Sequence, residues 1–133
     1  MATPRAGPVL TEAEVELDAL VFSGEDEQER AAAEELTPRP ALLVATSGAA
    51  GGSYSTPDAA TGTWKAATLP APLIDSYGCG DSFAAALCWA LAQGNDAAGA
   101  VEIAARAGAI CMTGRGPYGR QLTAAEAERA SGS

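Results

Sequence analysis

Apolar positions in this chain fall into short blocks separated by glycine, proline or acidic stretches. Thr11-Glu12-Ala13-Glu14 reads as a capping box opening a short helix, because the threonine oxygen and the glutamate three residues on can satisfy orphan N–H groups reciprocally. The nearly continuous apolar run from Leu17 to Phe22 then predicts a short buried strand. Ser23 is placed to cap a second helix, with Glu25 and Asp26 in its first turn, where the helix dipole favours acids. That helix passes through Ala31-Ala32-Ala33 and must stop before Pro38. Ala41 to Thr46, bounded by Pro40 and Gly48, is too short for a helix and predicts a buried parallel strand. Ser47-Gly48-Ala49-Ala50-Gly51-Gly52 is a glycine-rich turn, and Ser53 to Thr68, with Tyr54, Thr61, Thr63 and Trp64 around Gly62, predicts a hairpin.

Beyond the linker Leu69-Pro70-Ala71-Pro72 the period changes to that of helices. The first begins at Gly80-Asp81-Ser82, places Phe83, Leu87 and Leu91 on one stripe and ends at Gly94. The second is capped by Asn95 or Asp96, buries Val101, Ala104, Gly108 and Cys111, and stops at Gly114. Thr123-Ala124-Ala125-Glu126 is another capping box and opens the last. A β-α-β-hairpin-α-α order implies an α/β layer on a mostly parallel sheet.

Composition narrows the chemistry. The 133 residues make at most one compact domain, 47% hydrophobic, with 8 Lys+Arg against 17 Asp+Glu. A formal charge of −9 excludes a nucleic-acid partner or an anionic membrane surface, since both require a basic face. The acids are concentrated: ten lie between Glu12 and Glu35, opposed only by Arg30, whereas the second half is nearly neutral and can accept an anion. With no His, every mechanism needing an imidazole is excluded, so acid–base chemistry must run on carboxylates. The single lysine, Lys65, follows Trp64 rather than a glycine, which excludes a lysine-bearing phosphate loop. Cys79, Cys88 and Cys111 are odd in number and widely spaced, which predicts reduced thiols in a cytoplasmic protein. The first residues lead into no apolar run, so neither a signal peptide nor a membrane span is expected.

The stretch Asp75-Ser76-Tyr77-Gly78-Cys79-Gly80-Asp81 carries the candidate chemistry. Small residues directly before a helix let successive N–H groups point outward at its N-terminus, where they have no intrahelical partner and attract anions. Asp81 beside such an anion hole is a carboxylate that could take the proton of an attacking hydroxyl. The structural alternative is an N-cap aspartate following a glycine turn. The stretch is not a dinucleotide fingerprint, because Phe83 stands where the third glycine belongs.

Asp75 to Leu87 resembles the C-terminal signature of the ribokinase (PfkB-type) carbohydrate kinases, D-[ST]-x-G-x-G-D-x-F followed by small residues. Leu43 to Gly52 resembles that family's strand and T-x-G-x-x-G turn on the nucleotide side. The resemblance implies a three-layer, ribokinase-like α/β fold and ATP-dependent phosphoryl transfer. Asp81 matches the family's catalytic base, and Gly78, Cys79 and Gly80 match the anion hole for the γ-phosphate. Thr46, Gly48 and Gly51 match positions lining the ATP site. Asp75 and Tyr77 match the start of a loop that in many members binds a monovalent cation, which brings in K+, with Gly116 on its far side. Where many members have Asn-x-x-Glu, associated with magnesium-bound phosphates, this chain has Ser23 and Asp26, which read equally as helix cap and first-turn acid. Cys79 replaces the usual alanine of the hole, and at a helix N-terminus its thiol pKa is expected to be lowered.

The resemblance covers nearly the whole chain but only the C-terminal part of the family. Residues 1–133 are thus expected to be the nucleotide-binding portion, with the N-terminal strands, the sugar-contacting residues and the lid absent. The expected partner is a small-molecule sugar. The alternatives are a nucleoside kinase of the same fold and a non-catalytic nucleotide-binding or oligomerisation module, for which a homodimer would be the assembly. Arg115 to Arg120 reads either as a phosphate-facing loop or as a solvated turn, and Trp64, Trp89 and Tyr54 read as packing.

Overall fold

The computed structural model describes residues 4–131. The chain divides into two compact units, the first ending at Trp64 and the second beginning at Lys65. Each has its own internal logic.

In the first unit a 3-10 turn at Pro4–Ala6 leads into α1 (Gly7–Glu12), followed by β1 (Leu20–Ser23), α2 (Glu27–Glu35), β2 (Leu43–Thr46), β3 (Gly52–Ser55) and β4 (Thr61–Trp64). The first helix lies earlier than the Thr11 capping box indicates. Pro8 supplies the preset φ of an opening turn, Thr11 stands at the C-terminal end, and its carbonyl accepts from the Glu14 N–H at 3.2 Å. The second helix is capped by Asp26 rather than Ser23. Asp26 Oδ1 accepts from the N–H groups of Gln28 and Glu29 at 2.9 and 3.1 Å. Ser23 instead ends β1, and its N–H donates to Glu29 Oε2 at 2.7 Å.

The four strands lie in sequence order. β1 and β2 pair in parallel, Leu20 opposite Leu43 and Ser23 opposite Thr46. The expected hairpin forms, and it makes the other two pairings antiparallel, so the sheet is mixed rather than mostly parallel. Leu17, Leu20, Ala33 and Leu36 form a buried cluster, with Leu10, Phe22 and Leu43 packed on it, which seats α2 against β1. Fully burying a leucine such as Leu20 contributes about 1.5–3 kcal/mol relative to leaving it exposed, which is how strands of four residues persist.

The second unit holds three helices, α3 (Cys79–Ala92), α4 (Ala97–Cys111) and α5 (Ala124–Ser131). α3 buries Phe83, Leu87 and Ala90, while Leu91 of the expected stripe stays half-exposed. Asp96 caps α4 by accepting the Gly99 N–H at 2.8 Å. α4 buries Val101, Ala104, Gly108 and Cys111 as its pattern indicates. Gly108 faces the first turn of α3: a Cβ there would make ordinary contacts, 3.4 Å from the Cys79 carbonyl and 3.9 Å from Phe83 Cβ. The Thr123 box is reciprocal, Thr123 N–H to Glu126 Oε2 at 2.9 Å and Glu126 N–H to Thr123 Oγ1 at 3.3 Å.

Candidate functional site

The candidate residues fall into both units. In the first, Thr46 closes β2, and its hydroxyl donates to the Phe22 carbonyl at 3.3 Å, tying the ends of the parallel pair together. The turn that follows is closed by Ser47 N–H to Gly51 C=O at 2.8 Å, and by Ala50 N–H to Ser47 C=O at 3.0 Å. Gly48 is exposed, while Gly51 is buried with φ 90° and ψ −117°. The Gly24 N–H donates to the Thr46 carbonyl at 2.8 Å, so the turn after β1 is stitched to the end of β2. Neither this contact nor the Glu29 hold on Ser23 is visible in the sequence. Asp26 has the position of a helix cap, with Oδ1 committed to two N–H groups. Among the described residues no three His, Cys, Asp or Glu side chains converge as a metal group.

In the second unit, the geometry is built around Gly78. Its φ of +84° turns the chain into α3, and a Cβ in its place would lie 2.6 Å from Pro117 Cβ, so only glycine fits. The turn before it is closed by Cys79 N–H to Ser76 C=O at 3.2 Å. That bond takes the Cys79 N–H out of the expected hole. Among the described residues the N–H groups of Gly78 and Asp81 donate to no protein acceptor, while the Gly80 N–H engages the Cys79 sulfur, a weak acceptor, so the open donors at the α3 N-terminus are Gly78 and Asp81, with Gly80 only weakly held. A helix of 14 residues adds about half a positive charge at that end. Gly80 has open space around it, which leaves its backbone accessible to a ligand. Asp81 stands in the same first turn with its side chain exposed.

Cys79 departs from expectation. It is half-buried, and burial, with Cys111 and Asp81 adding to it, raises its thiol pKa; hydrogen bonds from backbone N–H groups lower it by less. Desolvation of the thiolate outweighs the helix terminus here.

Asp75 sits between two loops. Oδ1 accepts the Tyr77 N–H at 2.9 Å and Oδ2 the Gly116 N–H at 3.0 Å, and these bonds, with Arg115 contributing less, hold the carboxyl below its ordinary pKa. Gly116 thus faces Asp75 with a donor. The Tyr77 and Pro117 carbonyl oxygens each lie 3.9 Å from Cys111 Sγ, and Gln121 Nε2 donates to the Pro117 carbonyl. Tyr77 itself is exposed. Sequence reasoning missed Gln121, whose partners lie in α3, α4 and the loop after α4. A groove of about 190 Å³ runs beside it, lined by residues that include Ser82, Trp89, Ala107 and Ala127; it does not include Asp81. The concavity and the open N–H groups are therefore separate features of the unit.

Comparison with known proteins bears on the fold and the family. No curated protein sequence matches the chain. An E. coli protein described as a ribokinase II, solved with ATP and Mg2+, superposes with a TM-score of 0.67 at 26% identity, over 84% of this chain and 38% of the other. A Burkholderia thailandensis nucleoside kinase in complex with inosine gives 0.68 at 25% identity, over 86% and 39%. The Methanocaldococcus jannaschii nucleoside kinase, an archaeal member of the ribokinase family, gives 0.73 at 20% identity, over 86% and 40%, a likeness of fold. The chain spans about two fifths of the length of these solved relatives. Its fold is ribokinase-like, and no helix of the described residues is long and apolar enough to cross a membrane. With the pfkB family carbohydrate kinase model matching residues 9–124, the chain belongs to that kinase family.

Proposed function

We propose that this chain carries the phosphoryl-transfer machinery of an ATP-dependent kinase acting on a hydroxyl of a sugar. The carrying observation is the start of α3, where the unbonded N–H groups of Gly78 and Asp81, and that of Gly80 held only by the Cys79 sulfur, stand beside the Asp81 carboxylate. The N–H groups are the anion hole for the γ-phosphate, and Cys79 contributes its position in the turn rather than its N–H. Asp81 is the base. It takes the proton of the acceptor hydroxyl as that oxygen bonds to the γ-phosphorus, while the bond from phosphorus to the β–γ bridging oxygen breaks and ADP leaves. Such a mechanism asks the protein for positioning and charge stabilisation, both of which backbone donors on a rigid helix supply without lysine. Thr46, Gly48 and Gly51 form the nucleotide-side turn of the first unit. Magnesium would arrive on the ATP phosphates and neutralise their charge, a mode that needs no protein cage and fits the commitment of Asp26 to capping.

Calorimetric titration of ATP with magnesium should give binding, and the Asp81→Asn chain should bind within about threefold of the parent. Transfer of label from γ-labelled ATP to a panel of sugars should fall about 10²–10⁴-fold in that variant. Undiminished transfer would sink the assignment of Asp81. The 25% identity to a nucleoside kinase holding inosine favours nucleosides as the second acceptor panel. The share of relatives' length that the chain spans favours one other reading, a nucleotide-binding module without turnover, which binding with no transfer to any alcohol would select.

A further inference from the structure

The loop after α4 carries two exposed arginines, Arg115 and Arg120, and they serve different neighbours. The middle of the loop lies against the turn that opens α3: the Gly116 N–H donates to Asp75 Oδ2 at 3.0 Å, and a Cβ at Gly78 would meet Pro117 Cβ at 2.6 Å. The ends of the loop close on each other, since a Cβ at Gly119 would lie 2.6 Å from the Arg115 nitrogen and one at Gly114 2.8 Å from Arg120 Cβ. Arg115 stands on the Asp75 side. After the Tyr77 and Gly116 N–H groups, its charge helps hold that carboxyl ionised, whereas Arg120, after the N–H and hydroxyl of Thr123, does the same for Glu126 in α5. The Arg115 guanidinium makes no hydrogen bond or ion pair to the described residues, which leaves its donors open to a ligand.

Charge at the α3 N-terminus is out of balance without such a group. Asp75 Oδ1 accepts the Tyr77 N–H, one residue before the first open donor, and Asp81 stands in the first turn, so two carboxylates flank the place proposed for a polyphosphate. The helix end offers only about half a positive charge against them. A full cation is needed, and the other arginines of the second unit lie elsewhere. Arg106 is exposed on α4 one turn after Glu102, Arg129 is in the last turn of α5, and Arg120 serves Glu126. Arg115 also has the right chemistry, because its planar fork can hold two phosphate oxygens at once on a long, flexible stem.

We propose that Arg115 binds the phosphates of the nucleotide held at the α3 N-terminus, supplying from the loop after α4 the positive charge that the backbone donors lack. The inference rests on the kinase reading of that site, and the test separates the two. Binding of ATP with magnesium to the whole chain is measured by calorimetry at two ionic strengths, for the parent and for Arg115→Ala, Arg115→Lys and Arg120→Ala. Arg115→Ala should bind at least about tenfold more weakly, the loss expected for a charge-assisted hydrogen bond, and its affinity should depend less on salt than the parent's. Arg115→Lys should recover part of the loss, since it keeps the charge without the fork. Arg120→Ala should bind as the parent does. Equal binding by the parent and Arg115→Ala overturns the inference and leaves the kinase reading standing. A loss that Arg120→Ala matches, or that Arg115→Lys does not relieve, overturns it as well, because the effect then belongs to overall charge or to the fold of the loop. A parent that binds no ATP overturns both readings together.

Discussion

Gly78 and Asp81 show how much of this site rests on single residues. At Gly78 the left-handed φ and the nearness of Pro117 Cβ act together, so Gly78→Ala carries both backbone strain and a clash. We expect urea unfolding to report a loss of about 2 kcal/mol, at the level of other residues forced into that region. A loss near zero would mean that the turn into α3 relaxes freely. Asp81 illustrates a different dependence, since its type was legible in the signature while the donors around it were not. The motif offers three consecutive N–H groups, but the bond from Cys79 to the Ser76 carbonyl removes the middle one and leaves Asp81 to supply its own. Cys79 reversed its expected pKa direction for a related reason. A helix terminus is visible in sequence, whereas the burial that desolvates a thiolate is a property of the packed chain.

At the scale of elements, local chemistry decided some helix starts and tertiary packing decided others. Asp96 and the Thr123 box cap as their patterns indicate, because each needs only partners three residues away. The Thr11 box satisfied the same pattern and failed, since Pro8 opens a turn earlier and Glu14, at φ 52°, lies beyond the helix end. Ser23 lost its capping role to Asp26 because strand pairing with Thr46 extends β1 through it. The Thr123 box also gives a pH dependence. Glu126 accepts from the Thr123 N–H first and its hydroxyl second, and its folded pKa lies below the ordinary glutamate value. A depressed carboxyl stabilises the fold fully above its unfolded pKa of about 4.3, and that stability is lost as pH falls through the lower folded value. Glu126→Gln should flatten the acid limb of a helicity titration near α5; an unchanged limb would assign no such role to the box.

At the scale of the molecule, the chain packs as two compact units that meet in sequence after Trp64. Lys65 is the only lysine, is exposed, and lies in the irregular stretch between β4 and α3. A lysine-specific protease should cut the native chain rapidly at that one place, and the two pieces should keep their circular dichroism. Slow cleavage, or collapse of the spectrum afterwards, would contradict two self-supporting units. By itself the sequence determined the family, the α/β class, the parallel β1–β2 pair, the hairpin and the carboxylate at the head of α3. These depend on periodicity and on residues close together along the chain. Only the tertiary structure decided that the sheet is mixed, that Asp26 serves the helix, and that Gln121 ties Ser82, Cys111 and Pro117 together. Ser82 and Gln121 are 39 residues apart, as Asp75 and Gly116 are 41. Hydrogen bonds over such separations leave no local pattern, because they are selected by which side chains packing brings together and removes from water.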